Sequence, residues 1–361
     1  MTLITLHSRI HFARDVLEEA LRAEVDENRF AHALLLCPVA FCEGEFLSRV
    51  ESGLSSCAEV TLRVIDPAQS KYDTGAYARE VERARTVDVI IAFGTMECIA
   101  HGRKCRHEIV TSRYRQLAGR RRDPARKTAL QPAFFVIPGI EGLPDPCLES
   151  TTQSSFKTAP PGVIICDPSV IDAASEVEIA RTVAQTMGRC LNVLGAQAFN
   201  PLADGLAIDG LARLARMMDD GAPVMAPHDR LRDVMAATLN GALALQKGTG
   251  LVEALRFSFG KAVGRELDGA LLYRVMLARM LDAAEAPNTA MIARVLGVPS
   301  GAGLPEFVAG QMAALPLPGT LQEMDIRWDE VEQAVGFMEP KFGTPQMRSQ
   351  AQLRQVLQDV Y

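Results

Sequence analysis

The sequence predicts an α/β plus all-α chain: an N-terminal domain built on a parallel sheet, followed by a helical domain. Three observations lead there. The 361 residues exceed the roughly 250–300 at which a single hydrophobic core stops growing. Short apolar runs alternate with helical stretches in the first half only. Composition also shifts midway: all 8 cysteines lie at or before Cys190, twelve of the 14 methionines lie from Met187 onward, and of the 6 histidines only His228 falls in the second half.

In chain order, Ala33 to Leu36, Val60 to Ile65, Val87 to Ala92, Phe134 to Ile137 and Val163 to Cys166 are short, mostly apolar and rich in branched side chains. Such runs are strands buried on both faces. Asp15 to Ala23 and Thr74 to Arg85 carry apolar residues at helical spacing between them, which makes the sheet parallel. Ligands of a parallel sheet bind outside the carboxyl ends of its strands, so the turns after Leu36, Ile65, Ala92 and Ile137 are the places to search. From Ile179 onward no strand is expected. Ile179 to Leu194, Ala203 to Met218, Leu231 to Gln246, Leu251 to Phe259, Gly269 to Leu281, Asn288 to Leu296 and Gly303 to Leu315 repeat at three- and four-residue spacing. The boundary falls near Pro168 to Ser175, dividing the chain into residues 1–175 and 176–361. The methionines of the second part serve as core filling.

The charge balance, 38 Lys+Arg against 44 Asp+Glu for a formal net charge of -6, argues against nucleic acid or an anionic membrane as the main partner. The basic stretch around Arg113, Arg115, Arg120, Arg121, Arg122, Arg126 and Lys127 is expected to be a solvated loop. No apolar run approaches the roughly 18 residues of a membrane span, and MTLITLHSRIHF lacks the order of a signal peptide. A soluble cytoplasmic protein with reduced thiols is the expectation. Cys98, Cys105 and His107 form C-x6-C-x-H, which is not a zinc spacing, and no histidine is placed by sequence to activate Cys37 or Cys42.

Several phrases, in order and spacing, resemble the iron-containing alcohol dehydrogenase superfamily and its maleylacetate reductase branch. VDVIIAFGTMECIAHGRK has the shape of that family's phosphate turn, PPGVIICDPSV that of its domain junction at Asp167 and Pro168, and AFNPLADGLA that of its N-P-x-x-D helix through Asn200, Pro201 and Asp204. KGTGLVEALRFSFG and the closing IARVLGVPSGAGLPEFV segment follow in register. The resemblance covers almost the whole chain. It implies a Rossmann-like domain, the dehydroquinate synthase-like/iron-containing alcohol dehydrogenase fold, and a small-molecule cleft between the domains.

The match is good where family residues pack and poor where they work. In the phosphate turn Gly94 keeps the first glycine, but Thr95 and Met96 replace the next two, Glu97 the serine, Ala100 the aspartate and Arg103 the lysine. Backbone N–H groups approach a pyrophosphate best without an intervening Cβ, so Met96 obstructs and Glu97 repels. Gly94, Thr95, Glu97 and Arg103 are the candidate cofactor-binding residues should NAD(P) be retained. The second nucleotide segment reads Pro138-Gly139-Ile140-Glu141-Gly142-Leu143-Pro144-Asp145, without the family's hydroxyls. Positions matching the family's metal ligands hold Gly188, Asn192, Glu253 and approximately Asp268, and Phe257 stands at a second cleft histidine. With no histidine among them, Fe or Zn is not expected.

These replacements read in two ways. Asn192, Glu253, Arg256 and Asp268 would orient substrate or transfer protons, alone or around a hard ion such as Mg or Mn. Alternatively the site has drifted, with Glu253 paired to Arg256 and Asp268 ending a helix turn. The leading expectation is a metal-independent enzyme acting on a small organic molecule by chemistry other than simple alcohol oxidation. Its alternatives are an NAD(P)H-dependent, maleylacetate-reductase-like oxidoreductase and an inactive homologue that serves a partner enzyme. The resemblance also implies a homodimer.

Overall fold

A computed structural model describes residues 8–42, 44–66, 73–116, 131–143, 160–196, 198–218, 227–247, 250–264, 267–282, 288–299, 303–338 and 350–361, with the side chains of residues 279, 280 and 282 outside the description. Much of the basic stretch, from residue 117 to 130, lies outside it too, as do Pro144 and Asp145. The chain divides into two compact units between Ala173 and Ala174.

The first unit is a sheet of six parallel strands in the order β1-β6-β5-β4-β2-β3. These are β1 (Arg9–Phe12), β2 (His32–Pro38), β3 (Glu59–Ile65), β4 (Val89–Gly94), β5 (Ala133–Pro138) and β6 (Val163–Cys166). Helices α1 (Leu17–Asn28) and α2 (Glu45–Gly53) cover one face; α3 (Thr74–Ala84) and α4 (Met96–Gln116) cover the other. Alternation along the strands decides the faces. Leu35, Cys37, Ile91 and Phe93 join the α1/α2 core, whereas Leu34, Leu36, Ile90 and Ala92 join that of α3 and α4. Strands covered on both sides are apolar along their length, which is why β4 and the Ala33–Cys37 run of β2 are continuous apolar stretches.

One strand has no such signature. RIHF carries Arg9 and His11, yet it pairs in parallel with β6 at the sheet edge. Its polar side chains are held by α1, where the buried Glu24 accepts from Arg9 Nη2 and lies 2.8 Å from His11 Nε2. An edge strand with charges needs a partner strand and a counter-ion rather than a core.

The order places adjacent strands β2 and β4 on either side of the point where the chain reverses direction across the sheet. Their carboxyl ends, Pro38 and Gly94, therefore mark the topological switch point at which such sheets bind ligands.

The second unit is helical, and no strand follows Cys166 among the described residues. Its helices are α5 (Glu176–Gly195), α6 (Pro201–Met218), α7 (Pro227–Ala244), α8 (Leu251–Val263), α9 (Gly269–Asp282), α10 (Thr289–Leu296), α11 (Leu304–Ala313), α12 (Trp328–Phe337) and α13 (Gln350–Asp359). Ser175 and Glu178 form a reciprocal capping box at the start of α5. From Ile179 to Leu194 all but Arg181 of that helix is buried, because α6, α7 and α9 pack around it. The N-P-x-x-D phrase proves structural. Asn200 Oδ1 caps α6 by accepting from Ala203 N at 3.1 Å, and Asp204 pairs with the buried Lys247 at 2.7 Å.

Candidate functional site

At the switch point of the sheet unit, β4 ends on Gly94 with φ +89, a left-handed conformation that favours glycine. A methyl group there would also come within 2.8 Å of Pro38 Cγ. Thr95 follows as the cap of α4: its hydroxyl accepts from Cys98 N at 3.3 Å. The turn after β5 closes over this corner. Gly139 N donates to Gly94 O at 2.7 Å, and a Cβ on Gly142 would lie 2.2 Å from that oxygen. The glycines of both nucleotide-type turns are thus occupied in packing against the protein itself. Glu97 is exposed in the first turn of α4, 3.8 Å from His101 Nε2, and Arg103 is buried farther along the helix. Burial lowers the pKa of His101 and pushes the thiols of Cys98 and Cys105 up to about 12. Neither cysteine is a ready nucleophile.

In the helical unit, Glu253 on the first turn of α8 sits between two arginines. Arg189 of α5 donates to its Oε1 from Nε and Nη2, each at 3.3 Å, and Arg256, one turn along α8, lies 3.2 Å from Oε2 through Nε. Both guanidinium side chains are withdrawn from solvent, Arg189 at 3 % and Arg256 at 11 % exposure. The hydroxyl of Tyr273, from α9, reaches Glu253 Oε1 at 3.5 Å. Complete burial holds that phenol well above its usual pKa, so it stays protonated.

The Tyr273 ring also explains Gly188. A Cβ on Gly188 would lie 2.0 Å from Tyr273 Cδ1, so the aromatic ring fills the space where an aspartate at this position would project. Asn192, on the same helix as Arg189, is buried with its amide against Gly250, the residue before α8; a Cβ there would meet Oδ1 at 1.7 Å. Asp268 is placed differently. It caps α9 by accepting from Ala270 N at 2.8 Å and pairs with Arg181 at 3.4 Å, at the start of a helix rather than the end of one. The ammonium of Lys261 stands over the Phe257 ring, 4.4 Å from its centroid. His228 lies in the first turn of α7 and faces Asp229. Among the described residues no group of three or more His, Cys, Asp or Glu is arranged to hold a metal.

The structure therefore joins Glu253 to Arg256, as the spacing suggests, and adds Arg189 and Tyr273, which sequence reasoning passes over. A signal for Arg189 exists: it is the one charged residue between Thr182 and Leu194 of α5. Tyr273 has none, since an aromatic residue in GALLYRVML reads as core.

The fold defines the class. It is that of the iron-containing alcohol dehydrogenases and maleylacetate reductases. Maleylacetate reductase from Agrobacterium tumefaciens superposes with a TM-score of 0.74 at 19% identity, covering 100% of this chain and 98% of that one. Sulfoacetaldehyde reductase from Bifidobacterium kashiwanohense, in complex with NAD+, gives 0.78 at 14% identity with the same coverage. The iron-containing alcohol dehydrogenase of Thermococcus thioreducens gives 0.73 at 16%, covering 99% of each chain. By sequence, 4-hydroxybutyrate dehydrogenase from Cupriavidus necator is 30% identical over 192 residues, 48% of this chain and 48% of that enzyme. The match thus spans about half the length of that relative. No protein-family model matches the chain. Among the described residues no helix is long and apolar enough to cross a membrane.

Proposed function

We propose that the chain is a metal-independent enzyme that moves a proton on a small carbonyl compound at the Arg189–Glu253–Arg256–Tyr273 cluster. One observation carries this reading: a carboxylate clamped by two guanidinium groups, that of Arg189 buried and that of Arg256 half-buried, at a position the family resemblance equates with a metal ligand. Fe or Zn does not fit these side chains. Gly188 contributes nothing and its space holds Tyr273, Asp268 is engaged with Arg181, and a divalent cation at Glu253 would face two fixed positive charges.

Glu253 is the group that takes a proton from carbon beside the carbonyl. The arginines supply what a Lewis acid would otherwise supply, positive charge aimed at the oxygen on which negative charge develops. Tyr273 and Asn192 hold the geometry, the first through its hydroxyl on Glu253 and the second by fixing the approach of α8 to α5.

The test is deuterium exchange. A panel of small oxo acids and aldehydes is incubated with the protein in D2O and followed by proton NMR. Exchange beside the carbonyl is expected, falling about 10²-fold or more in Glu253→Gln, the scale of general acid–base catalysis. No exchange with any panel member, or exchange indifferent to the substitution, removes the proposal.

A second reading, an NAD(P)H-dependent reductase, is favoured by the partial match to 4-hydroxybutyrate dehydrogenase and by the helix that opens at the switch point of the sheet. The residues at that corner are a poor fit for a pyrophosphate, because the Gly139–Leu143 turn packs on Gly94 and Glu97 adds a carboxylate to the first turn of α4. Fluorescence titration with NADH and NADPH decides: binding below millimolar concentration supports the reductase, and its absence eliminates it.

A further inference from the structure

We propose that Cys37 and Cys42 form a reversible modification site, where a hydroperoxide oxidises the pair to an internal disulfide that fastens the turn after β2. The site lies in the sheet unit and does not depend on the reading of the Glu253 cluster.

Placement is the first ground. Cys37 is the penultimate residue of β2 and is buried in the α1/α2 core. Cys42 follows the 3₁₀ turn Val39–Phe41 and is half-buried against the same core. Both thiols donate to one carbonyl, Pro38 O, Cys37 Sγ at 3.5 Å and Cys42 Sγ at 3.3 Å. The two sulfurs thus converge on a single acceptor at the end of the strand. They also act on each other: burial raises the pKa of Cys37, and the Cys42 thiol raises it further through its charge and a hydrogen bond.

Selectivity is the second. A thiol is oxidised according to its access to the oxidant, and a disulfide forms only where a second thiol waits beside it. Among the described residues Cys42 and Cys57 are half-buried and the remaining cysteines are buried. Burial raises the pKa of Cys57, and the groups that add to this are the carboxylates of Asp88 and Asp26 rather than a second thiol. Cys98 is near enough to act on Cys37 and to be acted on by Cys42, yet it is buried and its side chain is hydrogen-bonded to Thr95. Cys42 therefore combines access with an adjacent thiol, and that thiol is Cys37.

The chemistry takes two steps. The Cys42 sulfur attacks one oxygen of hydrogen peroxide, the O–O bond breaks, and the departing hydroxide leaves as water with the thiol proton, giving the sulfenic acid at Cys42. The Cys37 sulfur then attacks the Cys42 sulfur, the S–O bond breaks, and a second water carries off the Cys37 proton. The thiols have lost two electrons and two protons, and the peroxide has gained both; an external dithiol reverses the change. Both S–H donors to Pro38 O vanish in the product, and a covalent link holds the turn instead. Pro38 packs on Gly94 and Phe41 meets Phe93 edge-on at 5.2 Å, so the modification falls at the switch point of the sheet.

The experiment is peroxide oxidation of the reduced full-length protein, followed by alkylation in denaturant with iodoacetamide and peptide mass spectrometry. Trypsin releases residues 30–49 as one peptide that holds Cys37, Cys42 and no other cysteine. That peptide is expected to lose two hydrogens and escape alkylation, with dithiothreitol restoring both thiols, while Cys57 and Cys98 are alkylated throughout. Cys42→Ser should leave Cys37 reduced, and Cys37→Ser should leave Cys42 as a sulfenic acid trapped by dimedone. The wild-type result stands even where a variant fails to fold. Because the two cysteines are also close in sequence, the protein is compared in glutathione redox buffers with and without denaturing urea. The native pair should reach half-oxidation at about tenfold less glutathione disulfide, or lower still, and an equal requirement would overturn the inference. Alkylation of both thiols after excess peroxide, Cys42 carried to the sulfinic acid beside an alkylated Cys37, or Cys42 joined to Cys57, Cys98 or Cys147 overturns it as well.

Discussion

At the scale of single residues, Gly188 and Tyr273 support the proposed independence from metal more firmly than any missing histidine does. A histidine can be reinstated by one substitution; a side chain at Gly188 would bring its Cβ within 2.0 Å of a fully buried ring, which must move before it is accepted. Gly188→Ala is therefore expected to cost about 1–3 kcal/mol through overpacking, read as a lower midpoint in urea denaturation. In a Tyr273→Ala background the same change should cost close to nothing, because the colliding ring is gone; costs that simply add would show that the two positions do not meet. How legible was this site? Glu253 and Arg256 stand three apart, which puts them on one helix face in any reading. Arg189 is 64 residues away, and nothing local says which face of α5 meets α8. The sequence also counts Asp268 with Glu253, but Asp268 spends its carboxylate on Arg181 and on the backbone of α9.

At the scale of elements, the junction phrase C-D-P shows what a conserved-looking motif does physically in this chain. Asp167 has no solvent exposure and accepts from Asp15 N, Leu17 N, Ser169 N and Oγ, and Arg49 Nη2, at 2.7–3.1 Å. One carboxylate thereby ties the start of α1, the short 3₁₀ turn Pro168–Ile171 and α2 to the end of β6. Asp167→Ala leaves those buried backbone donors unanswered and Arg49 with Glu18 as its remaining carboxylate partner, so a loss of about 3–5 kcal/mol is expected in denaturant unfolding, with Asp167→Asn milder. An unchanged midpoint would mean that water or another carboxylate takes over. Elements were legible in proportion to their burial. Strands covered on both faces announce themselves as apolar runs, and α5 announces itself through its helical spacing. β1 did not, since RIHF is a strand only because β6 offers its edge and Glu24 answers its charges.

At the scale of the whole molecule, the proposed independence from metal has a simple consequence. Exhaustive dialysis against EDTA should leave the melting temperature within about 1 °C of the untreated protein, because no ligand that binds only the folded state is removed. A fall of several degrees that Fe or Zn restores would reject it. The sequence by itself determined the order of the chain, strands and helices alternating first and helices alone afterwards, because periodicity and composition are local properties written every two to four residues. It also determined that no polyhistidine centre forms in the helical unit, which contains only His228. Tertiary structure alone decided what stands there instead. The meeting of Arg189, Glu253 and Tyr273 depends on how three helices cross, and the filling of the Gly188 space depends on the rotamer of a residue 85 positions away. Crossing geometry and side-chain packing are cooperative over the whole core, so no local stretch of sequence carries them.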